Sequence, residues 1–341
     1  LSDKRHAAQE RIPLTELHLH LEGAIPYPAL WELICKYGGD PSVPDMASLA
    51  RRFVYKDFPH FIQTWIWKNG YLREYEDFTY IAEQTALDLE GQGIAYAEAH
   101  FSPSGFVGGK LCTQGIAKAI RSGLSRVPGI EILLIADLTR DMGPESGART
   151  LQEVNEVRDC GVVGIGLGGS EQLFPPEMFQ SDYAEARRLG FHTTAHAGEA
   201  AGPASVWGAL RSLNVERIGH GTRAEEDPSL LDYLAEKQIP VEMCPLSNLR
   251  TGVVARIEDH PIRRYFDRGL LVTVSTDDPR MFGNSLAEEY RTLETVFGFT
   301  PAELDRIKAN SIKASWLDEG GRTRLLSVRE GATGKPAGGS A

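Results

Sequence analysis

Histidines and acids recur just after short apolar segments in this chain, in pairs that could hold a metal and move protons. In Thr194-Ala195-His196-Ala197-Gly198-Glu199 an imidazole and a carboxyl share the loop that follows an apolar segment. Imidazole suits zinc and similar metals, and a carboxyl beside a metal can shuttle protons. One His-x-x-Glu alone also occurs on ordinary surface loops. The weight comes from three further stretches built the same way: His18-Leu19-His20-Leu21-Glu22-Gly23, Arg217-Ile218-Gly219-His220-Gly221 and Ser275-Thr276-Asp277-Asp278-Pro279.

From Leu14 to Leu21 apolar and polar residues alternate, which argues for a strand. Residues two apart on a strand share a face, so His18 and His20 point together, as two ligands of one metal would. Three imidazoles and one carboxylate can hold a divalent metal and leave a position for water, whose pKa falls toward ~7. A second carboxyl can then exchange protons with a substrate, and an extra histidine can orient or deprotonate the water. Metal ligation alone would not need both Glu199 and His220, so the set points to hydrolysis.

The elements that must position these groups follow a repeated rhythm. Strand patterns at Leu14–Leu21, Ile94–Phe101, Ile130–Asp137, Gly161–Leu167, Phe191–Ala195, Arg217–Gly219, Pro240–Cys244 and Leu270–Ser275 are separated by helical patterns, and helices at Ser285–Phe297 and Pro301–Leu317 close the chain. Eight such strands predict an α/β chain folded as a (β/α)8 TIM barrel. A doubly wound sheet is the alternative, but no G-x-G-x-x-G follows an early strand, and Gly164–Gly169 lies within and just after a strand with no helix opening from it. In a barrel, active groups sit at the C-terminal strand ends. That register puts His18 and His20 on strand one, His196 and Glu199 on five, His220 on six, and Asp277 and Asp278 on eight. Of the remaining histidines, His6, His60, His100, His192 and His260 read as surface or structural, with His100 also near a strand end. Two-metal barrels of related design place a modified lysine on strand four; Val162–Gly169 has none, which favours one metal.

Residues 12–318 are expected to form a single domain, with 319–341 as a flexible tail. Residues 40–74 break the rhythm with many aromatics and are expected as a helical, lid-like insertion after strand one, most of those rings burying the insertion itself. With 47 acids against 36 bases, a net charge of −11 and no dense Lys/Arg run, a nucleic-acid partner is excluded. No apolar run is long enough to span a bilayer. The four cysteines (Cys35, Cys112, Cys160, Cys244) are scattered without a C-x-x-C pair, which points to a reducing, cytoplasmic setting.

Taken together, the motifs resemble those of the adenosine deaminase family of metal-dependent (β/α)8 hydrolases. The resemblance is carried by His18-Leu-His20-Leu-Glu22-Gly23, Gly164-Ile-Gly-Leu-Gly-Gly-Ser-Glu171, His196-Ala-Gly-Glu199, Glu216-Arg-Ile-Gly-His220-Gly221, Cys244-Pro-Leu-Ser-Asn248 and Ser275-Thr-Asp277-Asp278-Pro279, in the family's order. It implies that His18, His20, His196 and Asp277 bind one Zn2+ per chain, His20 also lying beside the substrate. It implies that Glu199 gives a proton to purine N1 as water attacks C6, that His220 orients or deprotonates that water, that Asp278 contacts N7, and that the backbone N–H of Gly169 contacts N3. The implied reaction converts adenosine or 2′-deoxyadenosine to inosine or 2′-deoxyinosine plus ammonia.

Two departures bear on the substrate. Many adenosine deaminases end the first motif in Asp, which contacts the ribose 5′-hydroxyl; here it is Glu22, as in relatives acting on adenine or modified aminopurines. The strand-four motif usually carries acids where this chain has Gly166 and Ser170. Other aminopurine substrates (adenine, 6-aminodeoxyfutalosine, N6-methyl-AMP) are therefore the alternative, and a catalytically silent binding protein is a further one. A free base needs the ribose space closed, and a nucleotide needs a cation there, with Lys56, Lys68 and Arg73 as candidates. Nickel, cobalt or iron would fit similar donors.

Overall fold

The computed structural model describes residues 12–56, 58–106 and 110–327. Eight parallel strands follow one another in sequence order around a ring: β1 (Leu14–His20), β2 (Ile94–Phe101), β3 (Glu131–Thr139), β4 (Val162–Gly168), β5 (His192–Ala197), β6 (Arg217–His220), β7 (Val241–Met243) and β8 (Val272–Val274). This order is that of a (β/α)8 barrel and rules out the doubly wound alternative. β8 is shorter than its apolar pattern suggests, because the ring is shut by the turn beyond it. The His20 amide donates to the Asp277 carbonyl at 2.9 Å, and the Asp277 amide donates to the His18 carbonyl at 3.0 Å.

β1 carries an irregularity just before the histidines. Glu16 pairs with Ala97 and Leu19 with Ala99, so β1 spends one more residue there than β2. Such a bulge re-aims side chains. Leu19 and Leu21 join the apolar core, while His18 and His20 meet the other strand-end groups.

β4 presents glycines to its neighbours where they need room. A Cβ on Gly164 would lie 2.3 Å from Cζ3 of Trp316, and one on Gly166 would lie 2.2 Å from Oδ1 of Asp137. No side chain fits at either place. Trp316 follows the helix Pro301–Ala314 and supports a buried charge network. Arg217 Nη2 is 2.6 Å from Glu98 Oε2, and its Nε is 2.5 Å from Glu242 Oε1. The guanidinium lies 3.6 Å from the Trp316 ring centroid, and Nη1 donates to the Ala314 carbonyl at 3.0 Å.

Between β1 and β2 run the helices Tyr27–Lys36, Met46–Arg52, Phe58–Asn69 and Tyr75–Gly91. The aromatics of this stretch divide between contacts within it and contacts to the barrel. Trp67 and Tyr71 both donate to Asp40 Oδ2, and Phe61 stacks on Phe282 with centroids 5.3 Å apart. Where the tail was expected to begin, Glu319–Ser327 is a helix that buries Leu325. The rest of the tail and His6 lie outside the described residues.

Arg217 neutralises two carboxylates that water cannot reach. Arg217→Met would strand both, and breaking a buried pair costs about 3–5 kcal/mol. The expected result is an unfolding free energy lowered by about that amount, read as a lower urea midpoint at unchanged m-value; an unmoved midpoint would deny the network any part in stability.

Candidate active site

Three imidazoles and a carboxylate converge where the ring closes. His18 Nδ1 is 2.9 Å from Glu242 Oε2, and His20 Nδ1 is 3.4 Å from Asp137 Oδ2. With the Nδ1 protons turned toward those acids, both Nε2 lone pairs face inward. His196, at the end of β5, puts its Nε2 3.1 Å from each of them. Asp277 Oδ1 lies 3.3 Å from His20 Nε2 and 3.6 Å from His18 Nε2, while Oδ2 accepts from Ser247 Oγ at 2.6 Å. Asp277 holds φ at +66°, a left-handed conformation uncommon for a side-chain-bearing residue, and the closing bonds fix it there.

Such a knot of buried nitrogen lone pairs is unfavourable unless a cation sits among them. Although burial opposes it, Asp277 and Glu242 favour positive charge at His18, holding its pKa up to about 9, and a bound cation would supply that charge in place of the proton. Burial, with the nearby histidines, drives His196 far below the usual imidazole range, leaving it neutral as a ligand must be. The donor set therefore fits a divalent metal of the zinc type.

His220 also comes close: His18, His196, His220 and Asp277 offer ligand atoms all within 4.8 Å of one another. What separates it from His20 is its outer partner. Asn248 Oδ1 accepts from the Thr222 hydroxyl at 2.6 Å and lies 3.1 Å from His260 Nε2, so its amide nitrogen faces His220 Nδ1 at 3.2 Å. With the amide oriented this way, His220 Nδ1 accepts and Nε2 carries the proton. Burial lowers its pKa to about 3, which keeps the ring neutral. A protonated Nε2 cannot ligate. It lies 3.6 Å from Glu199 Oε2.

Glu199 is set by its loop. One carboxylate, Glu171, accepts from four successive backbone amides: Gly198 at 2.6 Å, Glu199 at 3.1 Å, Ala200 at 2.8 Å and Ala201 at 2.9 Å. Arg140 holds the strand side of the same turn, donating to the His196 carbonyl at 2.5 Å. Burial, reinforced by Asp277 and Glu171, pushes the Glu199 carboxyl up to about 8. Burial and Asp277 likewise push Asp278 up to about 7. Both can carry a proton at neutral pH.

The remaining expected residues stand around this centre. Glu22 is buried after β1; Oε1 accepts from the Ser102 amide at 2.9 Å, and Oε2 has no partner. Asp278 Oδ1 is also buried without a partner. Gly169 is exposed directly beyond β4. Of the insertion, Trp65 meets His20 edge-on with centroids 6.2 Å apart. Lys68 is buried, donates to the Glu22 carbonyl at 2.6 Å and to Asn69 Oδ1 at 2.7 Å, and lies 4.0 Å from the Trp65 ring centroid.

His100 needs a firmer assignment than surface or structural. It is fully buried beside the cluster, with Nδ1 2.8 Å from Asp137 Oδ1 and ring centroids 5.0 Å from both His18 and His20. Asp137, Glu242 and Asn248 had no role in the sequence reading. For Asp137 and Glu242 a polar residue on an otherwise apolar strand was the available signal, since such a group must find a buried partner; Asn248 sits on the helix Pro245–Arg250. His260 is structural through Asn248, and His192 stacks on Trp316 with centroids 5.0 Å apart.

This geometry agrees with comparisons to known proteins. The adenosine deaminase family model matches residues 13–330. The chain is 34% identical to the aminodeoxyfutalosine deaminase of Streptomyces avermitilis, over 94% of this chain and 91% of that protein. It is also 34% identical to the adenosine deaminase of Serratia proteamaculans, over 91% of this chain and 95% of that one. Among solved structures, the adenine deaminase of Arthrobacter aurescens superposes with a TM-score of 0.85 at 31% identity, covering 92% of this chain and 97% of its own. An amidohydrolase from Burkhoderia ambifaria with bound zinc gives a TM-score of 0.83 at 27% identity, covering 92% and 88%. No helix among the described residues is long and apolar enough to cross a membrane. The chain belongs to the adenosine deaminase family and is a hydrolase acting on the C–N bond of an aminopurine.

Proposed function

We propose that the chain hydrolyses the 6-amino group of adenosine and 2′-deoxyadenosine, releasing ammonia and the 6-oxo nucleoside, with one zinc ion per chain. The observation that carries this reading is the placing of Glu199 Oε2 3.6 Å from His220 Nε2 beside the His18–His20–His196–Asp277 donor set. Zinc held by those four residues supplies the Lewis acidity that makes water nucleophilic at neutral pH.

The chain's own groups do the rest. His220 donates its Nε2–H to the attacking oxygen and orients it; with that proton in place the ring is a director rather than a base. Glu199 delivers a proton to N1 as oxygen adds to C6, so the ring accepts the electron pair. Asp278, protonated, donates to N7, and the Gly169 N–H donates to N3. Glu199, now a carboxylate, takes the proton of the new C6 hydroxyl and passes it to the amino group; the C6–N bond breaks to release ammonia as the C6=O bond forms. The contacts at N1, N7 and N3 read only the purine.

The sugar end is read by Glu22. Its Oε1 is fixed by the Ser102 amide, and Oε2 is an acceptor without a donor, which a ribose hydroxyl would supply. Glu22 and Asp278 put two carboxyls around the substrate, and the ammonium of Lys68 is already engaged with two oxygens and Trp65. A phosphate would meet acids and no uncommitted cation from Lys68, which disfavours N6-methyl-AMP. Free adenine and 6-aminodeoxyfutalosine form the second reading, favoured by the same Glu22 and by the relatives' names.

Ammonia release from adenosine, deoxyadenosine, adenine, 6-aminodeoxyfutalosine and N6-methyl-AMP decides between them. The nucleosides are expected to turn over fastest; faster turnover of adenine or 6-aminodeoxyfutalosine would move the substrate and keep the chemistry. Glu199→Gln is expected to keep its zinc and lose about 10²–10⁴ in turnover, whereas Asp277→Ala loses zinc. Zinc loss from the Glu199 variant would remove Glu199 from its role. Because the acid forms of Asp278 and Glu199 are both required, kcat/KM should fall as pH rises from about 7 through about 8. A rate that climbs through that range would contradict the assignment.

A further inference from the structure

His20 reaches its outer partner across two strands. The carboxylate of Asp137 comes from β3, and the space it occupies is left open by β4, where Asp137 and Gly166 are register partners. A Cβ on Gly166 would lie 2.2 Å from Asp137 Oδ1 and 2.9 Å from His100 Nδ1. The two oxygens are used separately. Oδ1 is 2.8 Å from His100 Nδ1, and Oδ2 is 3.4 Å from His20 Nδ1. All three side chains are buried. His100 is itself held by the ladder, where it pairs with His20 on one side and Ile135 on the other.

We propose that Asp137, clamped by His100 and given room by Gly166, is the positioning carboxylate that fixes the ring of His20 for metal binding. The proposal rests on His20 being a zinc ligand. The His100 hydrogen bond on Oδ1 and the His20 ion pair on Oδ2 leave the carboxylate little freedom to rotate. An imidazole whose Nδ1–H is committed to a carboxylate has one tautomer, one orientation and a more basic Nε2. His18 receives the same service from Glu242, at 2.9 Å. Asp137 does not touch the reacting atoms and acts only through His20.

The same three side chains could instead hold a second cation, since their ligand atoms also fall within 4.8 Å of one another. The bonds between them argue against it: Nδ1 of His100, the nitrogen nearest Asp137, is already a donor, and the Gly166 gap is filled by the carboxylate.

The test is zinc affinity of the folded protein, measured by competition with a chromophoric chelator, with zinc per chain and thermal unfolding of the zinc-free forms read alongside. Asp137→Asn keeps the volume and removes the charge. It should weaken zinc binding about 10–100-fold while the zinc-free melting temperature and the KM for the aminopurine barely move. Unchanged zinc affinity in Asp137→Asn would overturn the proposal, as would a lowered zinc-free melting temperature with affinity intact, which marks a merely structural role. Two zinc ions in the wild type, one of them lost in Asp137→Asn, would replace it with a second cation site. A wild-type protein that holds no zinc would instead sink the ligand assignment itself.

Discussion

Two main-chain hydrogen bonds join β1 to the Asp277 turn, and both the barrel and its chemistry depend on them. They replace the ladder that a longer β8 would have formed with β1. They also fix the backbone of His18, His20 and Asp277, which supply three of the converging donors. Closure of the sheet and assembly of the site are one event. The left-handed backbone at Asp277 costs on the order of 1–3 kcal/mol, and the closing bonds over-determine it. A loop-borne ligand would pay rotational freedom on binding a metal; one fixed by the ring does not.

Below that rim, charge is arranged in depth. His18 leans on Glu242, Glu242 on Arg217, and Arg217 on Glu98, whose other oxygen takes the Tyr96 hydroxyl at 2.6 Å and the Trp316 amide at 2.7 Å. In a low-dielectric interior none of these groups is stable alone. The C-terminal segment is tied to the same chain of contacts through Ala314 and Trp316. Orientation of the His18 ring and docking of the last helices are thus linked through the barrel axis.

Strand ends were legible in the sequence because period-two alternation and Gly or Pro punctuation are local signals. They located His18, His20, His196, Glu199, His220, Asp277 and Asp278, and the structure brings all seven together. The partners of these residues were not legible. Asp137 reads as the polar end of an apolar strand, Glu242 as one acid within a short one, and His100 as a strand histidine like many others. Their meaning lies in contacts between strands, such as Asp137 with His20, for which a single sequence carries no distance. Glu171 lay in view within a quoted motif, but its four amide donors sit on another loop. The short β8 follows from the same cause, since its pairing partner is a turn rather than a strand.

The bare inner face of β4 constrains how this barrel can change. At Gly164 and Gly166 any added atom collides with Trp316 or Asp137. The groups that fill this space arise on β3 and beyond the last long helix, so β4 and these neighbours can change only together: a side chain gained on one strand requires one given up on the other.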